Sequence, residues 1–269
     1  MPLELNSEIS GSGAPLVILH GLFGSATNWR SVARSLATDH EVHALDLRNH
    51  GASPWADIVS AHGASPWADT MSYAEMADDV RHYVERHKLK SVTLMGHSMG
   101  GKTAMALALA QPEALKRLIV VDIAPRSYHD ALSSYAQAMR SVDLMAAASR
   151  AEVQRQLQAL LPDASVAPFL VQNLVQRNEH FDWRINLAVI TSAMQSLVDF
   201  PAALQTRRFD KPVTVIAGAL SDYVPAGDAS AFAPMFPKLT VETIEGAGHW
   251  VHADKPQAFV QAVRRALVR

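Results

Sequence analysis

The chain has no cysteine among its 269 residues. Disulfides, thiolate nucleophiles and cysteine-held metals are excluded together. Long apolar runs are also missing, and none approaches the roughly 18 residues of a membrane span. The opening MPLELNSEIS has neither the basic nor the apolar region of a secretory signal. Charge of one sign is scarce as well. Lys and Arg number 24 against 26 Asp and Glu, a net charge of −2, and they are scattered. The clustered basic footprint of a nucleic-acid binder is therefore absent. These absences lead to the expectation of a cytoplasmic globular protein with no nucleic-acid partner and no membrane span, and the sequence does not fix an oligomeric state.

What is present is alternation. Short runs rich in Val, Ile and Leu recur at 15–20, 41–47, 91–96, 117–122, 213–218 and 240–244. Most are continuously apolar, as strands buried on both faces should be. Helix-like stretches fall near 26–38, 73–88, 99–111, 228–236 and 255–268, and Leu3 to Gly13 fits an antiparallel edge hairpin. Strand and helix in alternation predict an α/β fold with a mostly parallel sheet flanked by helices. Residues 127–206 break the rhythm and read as helix after helix, over 135–148, 150–161, 168–178 and 185–197. The expected organisation is a core of 1–126 and 207–269, with 127–206 as a small helical cap inserted after the strand ending at Asp122. Such a cap would cover the carboxyl edge of the sheet, where open α/β folds bind ligands.

His50-Gly-Ala-Ser-Pro-Trp-Ala-Asp57 recurs unchanged as residues 62–69. Two copies twelve residues apart make a tandem duplication and not a solenoid. It lengthens one loop, which costs little because closure entropy grows slowly with length. One copy must bulge, near the cap and the mouth of the site, and altered substrate access is the expected effect.

Gly96-His-Ser-Met-Gly100 fits G-x-S-x-G and lies between a strand and a helix, the context in which a strained turn lifts a serine hydroxyl above the sheet edge. Ser98 is thus the candidate nucleophile. A hydroxyl needs a base, and His249, in Gly246-Ala-Gly-His-Trp250 after the last strand, is the candidate. His252, three residues on, has no third ligand in view that would make a metal site with it. The acid should lie between Ser98 and His249 in the chain. Two aspartates qualify. Asp122 ends the fourth apolar run. Asp222 follows Gly218-Ala-Leu-Ser221, where the common pattern would have its acid at the position of Ser221. Asp122 is favoured by its place at a strand tip, and Asp222 is the alternative. His20-Gly-Leu-Phe-Gly24 after the first core strand can aim the N–H of Leu22, beside that of Met99, at a developing oxyanion. Phe23, Tyr128, Leu132, Phe169, Leu170, Trp183 and Trp250 are candidates to line an acyl pocket.

His20-Gly-Leu-Phe-Gly-Ser25, Asp46-Leu-Arg-Asn-His-Gly51, Gly96-His-Ser-Met-Gly-Gly-Lys102, Val121-Asp-Ile-Ala-Pro125, Trp183-Arg-Ile-Asn186 and Gly246-Ala-Gly-His-Trp-Val-His252 together resemble the YbfF-like bacterial esterases of the α/β-hydrolase superfamily. The resemblance covers nearly the whole chain. It implies hydrolysis of acyl esters or acyl thioesters without a cofactor, and it implies that Asp122 is the triad acid. The chain departs from the pattern in its duplicate, so either Ser53 or Ser65 takes the single position that the family has. A lactonase, a C–C hydrolase or a perhydrolase would use the same residues, and a panel of esters, thioesters and lactones separates them. A non-catalytic ligand-binding hydrolase fold is the other alternative, and a fluorophosphonate probe would leave it unlabelled. A haloalkane dehalogenase is disfavoured, because the elbow carries Ser and not Asp.

Overall fold

The six apolar runs become neighbouring strands of one sheet. The computed structural model describes residues 2–53, 68–177, 179–225 and 228–268. In chain order the elements are β1 (Ser7–Ser10), β2 (Ala14–Leu19), α1 (Arg30–Leu36), β3 (His40–Leu45), α2 (Tyr73–Arg86), β4 (Val92–His97), α3 (Met99–Ala110) and β5 (Leu115–Val121). Then come α4 (Leu132–Ser141), α5 (Arg150–Leu160), α6 (Ala167–Leu170), β6 (Leu174–Arg177), β7 (His180–Trp183) and α7 (Leu187–Val198). The chain closes with β8 (Val213–Gly218), β9 (Leu239–Ile244), α8 (Val251–Asp254) and α9 (Pro256–Val268). The main sheet runs β1-β3-β2-β4-β5-β8-β9. Its strands are parallel except β1, which pairs antiparallel with β3.

Alternate residues of the strands face opposite layers. Val17, Leu19, Leu94 and Val120 meet Met76 and Val80 of α2 and Met105 and Leu109 of α3. Leu16, Ile18, Met95 and Ile119 meet Val32 and Leu36 of α1 and Phe259 and Val263 of α9. β4 and β8 are buried along their whole length, which is why their sequences are continuously apolar.

Several expectations are corrected. The N-terminal segment is an edge strand, but β1 pairs with β3 and not in a hairpin with β2. The helix expected over 168–178 ends early. α6 stops at Leu170, and Leu174–Arg177 pairs antiparallel with His180–Trp183. The amide of Asn173 turns the chain there by donating to the carbonyls of Phe23 and Leu170. The expected helix over 135–148 starts at Leu132 and ends at Ser141. Residues 228–236 form successive turns, with Phe232 N–H bonded to Ala229 and Phe236 N–H to Phe232. Pro234 has no N–H to continue a helix.

Of the duplicated segment, the first four residues are held tightly. Ser53 Oγ donates to the carbonyl of Asp46 at 2.6 Å and accepts from Asn6 N–H at 2.9 Å. Ser65 and the expected bulge lie outside the described residues.

Candidate active site

β4 ends at His97 and α3 begins at Met99, so one residue carries the reversal. Ser98 does so at φ +53° and ψ −120°, a left-handed conformation costing on the order of 1–3 kcal/mol in a non-glycine residue. Its N–H is tied to Val121 O at 3.1 Å, and its carbonyl accepts from Lys102 N–H at 3.0 Å. The turn is possible only because its neighbours lack side chains. A Cβ on Gly96 would sit 2.1 Å from Gly100 O, and one on Gly100 would sit 2.5 Å from His20 O. Ser98 retains 8% exposure at the floor of a cavity.

Asp122 follows β5 at φ +50° and is 0% exposed. Three donors converge on its carboxylate: Gly218 N–H at 3.0 Å, His249 Nδ1 at 2.7 Å, and the Ser221 hydroxyl. A proton on Nδ1 leaves Nε2 of His249 unprotonated and able to accept one. The ring is held further by Tyr223, stacked at 4.0 Å and 22°. The His249 carbonyl accepts from His97 Nε2 at 2.9 Å. Asp222 is exposed and meets Arg126 through its backbone carbonyl. Its carboxylate is not among the groups bonded to His249.

The turn after β2 is braced by two histidines. His20 Nδ1 donates to Gly21 O at 2.8 Å, and its Nε2 accepts from Leu47 N–H at 2.9 Å. His50 Nδ1 donates to Arg48 O at 3.0 Å, and its Nε2 accepts from Phe23 N–H at 3.2 Å. Each acceptor role requires the neutral ring. Burial enforces it, lowering the pKa of His20 and pushing that of His50 down to about 3, with His20 adding to the second effect. Phe23 sits at φ +60°, and its N–H is spent on His50. The N–H groups of Leu22 and Met99 find no acceptor among the described residues. That of Met99 is an orphan donor at a helix start.

Two lobes meet over Ser98. Leu22, Phe23, Leu132, Phe169, His249 and Trp250 line the first. Leu22, Met99, Leu132 and Tyr128 line the second, with Tyr73, Lys102 and Tyr223. Phe169 and Trp250, 5.9 Å apart, also border an outer groove. Trp183 is not brought to the cavity. It is buried within the inserted segment, where its Nε1 donates to Met139 O at 3.0 Å. Leu170 is likewise core.

Sequence reasoning missed Ser221, Tyr223 and Lys102. Ser221 stands where the common pattern has its acid, and its hydroxyl bonds the aspartate that lies elsewhere in the chain, so the signal was a donor at that position. Tyr223 lies in a loop, without periodicity to mark it. His252 is stacked on Trp29 at 4.3 Å and lies 5.2 Å from His97. Burial first, then the nearby His249, pushes its pKa down to about 4. The pKa of His97 is also held far below the ordinary value by burial.

The model of the alpha/beta hydrolase fold family matches residues 14–256. A Xenopus tropicalis protein named sn-1-specific diacylglycerol lipase ABHD11 is 40% identical over 94% of this chain and 78% of its own length. Esterase YbfF of Escherichia coli is 33% identical over 95% of this chain and 94% of its own. A solved structure described as a marine microorganism esterase superposes with TM-score 0.89 at 35% identity, covering 98% of this chain and 99% of the other.

Proposed function

The chain belongs to the alpha/beta hydrolase fold family, and on that premise we propose that it is a carboxylesterase-type serine hydrolase that cleaves acyl esters through an acyl-enzyme. Ser98 is the nucleophile, His249 the general base and Asp122 the acid. Residues 127–206 are the cap over a core of 1–126 and 207–269. The observation that carries this reading is the 2.7 Å bond from His249 Nδ1 to buried Asp122, beside a strained serine on the same cavity wall.

The steps follow from the protonation states. Nε2 takes the Ser98 proton as Oγ attacks the acyl carbon. The imidazolium that forms is stabilised by the Asp122 carboxylate, which stays ionised. Ser221 and Gly218 N–H hold that carboxylate in place. His97 and His252 are kept neutral by burial, so they add no charge opposing the imidazolium. The free N–H groups of Leu22 and Met99 receive the oxyanion, a contribution worth roughly 3 kcal/mol per donor in such sites. His249 then protonates the leaving alcohol and activates the water that releases the acid. The partner is a small-molecule ester. The cytoplasmic location expected from the sequence remains part of this reading, and no helix among the described residues is long and apolar enough to cross a membrane.

Initial rates on p-nitrophenyl esters from acetyl to palmitoyl, with Ser98→Ala beside the parent, test the proposal. Turnover by the parent alone, with fluorophosphonate labelling lost in the variant, is expected. Equal turnover by both proteins would remove Ser98 from the mechanism.

A further inference from the structure

The second lobe contains a lysine amine that the ester mechanism does not use. Lys102 stands one helical turn beyond Ser98, about 6 Å along the axis of α3, and both residues line this lobe. Its side chain is 2% exposed. Nζ donates to the carbonyls of Val198 and Asp199, each at 2.8 Å, at the end of α7. The rings of Tyr128 and Tyr73 lie 4.9 and 5.8 Å from it. No carboxylate lies within ion-pair distance of Nζ among the described residues.

An ammonium has three donors, and two are spent. If Lys102 served only to hold α7, a neutral donor would do so without the cost of burying a charge. That cost is real. Burial pushes its pKa down to about 7, with only the more distant Asp199 opposing the shift. Of the two carbonyls that Nζ bonds, that of Val198 also accepts from Tyr128 N–H at 3.0 Å, and the preceding one, Leu197, accepts from the Tyr73 hydroxyl at 2.6 Å. A buried, uncompensated cation in a cleft is the arrangement that a charged ligand completes.

We propose that Lys102 forms an anion subsite in the second lobe, selecting short acyl groups whose far end is a carboxylate. The inference rests on the ester-hydrolase reading and names the acyl half of its substrate. In the bound ester, the carbonyl lies at Ser98 and the terminal carboxylate accepts the third N–H of Lys102. The apolar walls made by Leu132, Leu197 and Val198 hold the few methylenes between.

Three esters of one chain length decide it: monoethyl glutarate, its neutral terminal amide, and ethyl valerate. Each is assayed by ethanol release with the parent, Lys102→Met and Lys102→Gln. A charge-assisted hydrogen bond predicts that the parent prefers monoethyl glutarate to the amide by about tenfold or more in kcat/KM. In either folded variant that preference should vanish, and Lys102→Met should favour ethyl valerate over both polar esters. Equal rates on glutarate and amide with the parent would overturn the subsite without any variant. So would a preference that survives in Lys102→Gln. Turnover of ethyl valerate alone removes the subsite and leaves the ester-hydrolase reading standing, whereas failure on all three esters removes both.

Discussion

Replacing Asp122 by Asn should be the most informative single-atom change in the protein. The carboxylate receives three donors, from Gly218, Ser221 and His249. Asn keeps one acceptor oxygen and puts an NH₂ where the other stood. With Gly218 N–H fixed on one oxygen, the NH₂ takes the place of the other and faces both Ser221 and His249 with a donor. The hydroxyl can rotate, but its present acceptor is the oxygen it shares with His249. The ring is therefore forced to accept at Nδ1, which places the proton on Nε2 and removes the base that Ser98 needs. The expected loss in kcat is about 10⁴-fold, or roughly 5–6 kcal/mol at 1.36 kcal/mol per decade. Ser221→Ala leaves the tautomer intact and removes one hydrogen bond to a charged group, so about tenfold is expected. Asp222→Asn should stay within about threefold, as an exposed loop position does. Steady-state kinetics on one p-nitrophenyl ester, with near-ultraviolet circular dichroism to confirm folding, measures all three. If Asp122→Asn kept more than about a tenth of the parent rate, or if Asp222→Asn fell as far, the assignment of the acid would be refuted.

Acid should unfold the protein through its neutral histidines. His252 and His50 have folded pKa values of about 4 and about 3, against about 6.5 when unfolded. As pH falls below 6.5 the unfolded chain binds protons that the folded chain refuses, so each group removes up to about 1.4 kcal/mol per pH unit until its folded pKa is reached. Urea midpoints between pH 7 and 4 should show this slope, and His252→Phe, which keeps the stack on Trp29, should flatten it. Gly96→Ala drives a methyl into Gly100 O at 2.1 Å, and a melting temperature at least about 10 °C lower is expected by calorimetry. An unchanged value would mean that the elbow relaxes. Removing twelve residues to leave one copy of the repeat should preserve the melting temperature and alter the profile of rates against acyl length. Identical profiles would separate the duplication from the site.

The central strands and α3 were legible because they are buried on all sides, and α2 and α9 because one apolar face repeats at helical spacing, constraints that act through neighbouring residues. Ser98 and His249 were legible for a related reason: the glycines beside them record a backbone geometry that other residues cannot take. Asp122 could be favoured but not separated from Asp222 by the residues alone, because the choice turns on which carboxylate faces a ring 127 positions away. Trp183 illustrates the opposite error. An aromatic residue in an inserted segment looks like pocket lining, yet its indole N–H closes a bond to Met139 within that segment. The β6–β7 hairpin was hidden because Asn173, whose side chain ends the helix, bonds to Phe23, 150 positions earlier. Lys102 was part of a recognised motif, but its isolation from acidic partners is a property of the folded interior.

The tandem repeat has a use beyond catalysis. At one end of it Ser53 is fastened to Asp46 and Asn6. At the other end the Thr70 carbonyl accepts from both Arg48 and Asn49 at 3.4 Å. Both flanks are thus pinned beside the end of β3, at Asp46 and at Arg48 and Asn49, so chain added between them leaves the sheet's register untouched. For protein engineering this is a ready cassette position, where an affinity tag, a reporter domain or a recognition peptide can be spliced in frame while both stumps remain anchored.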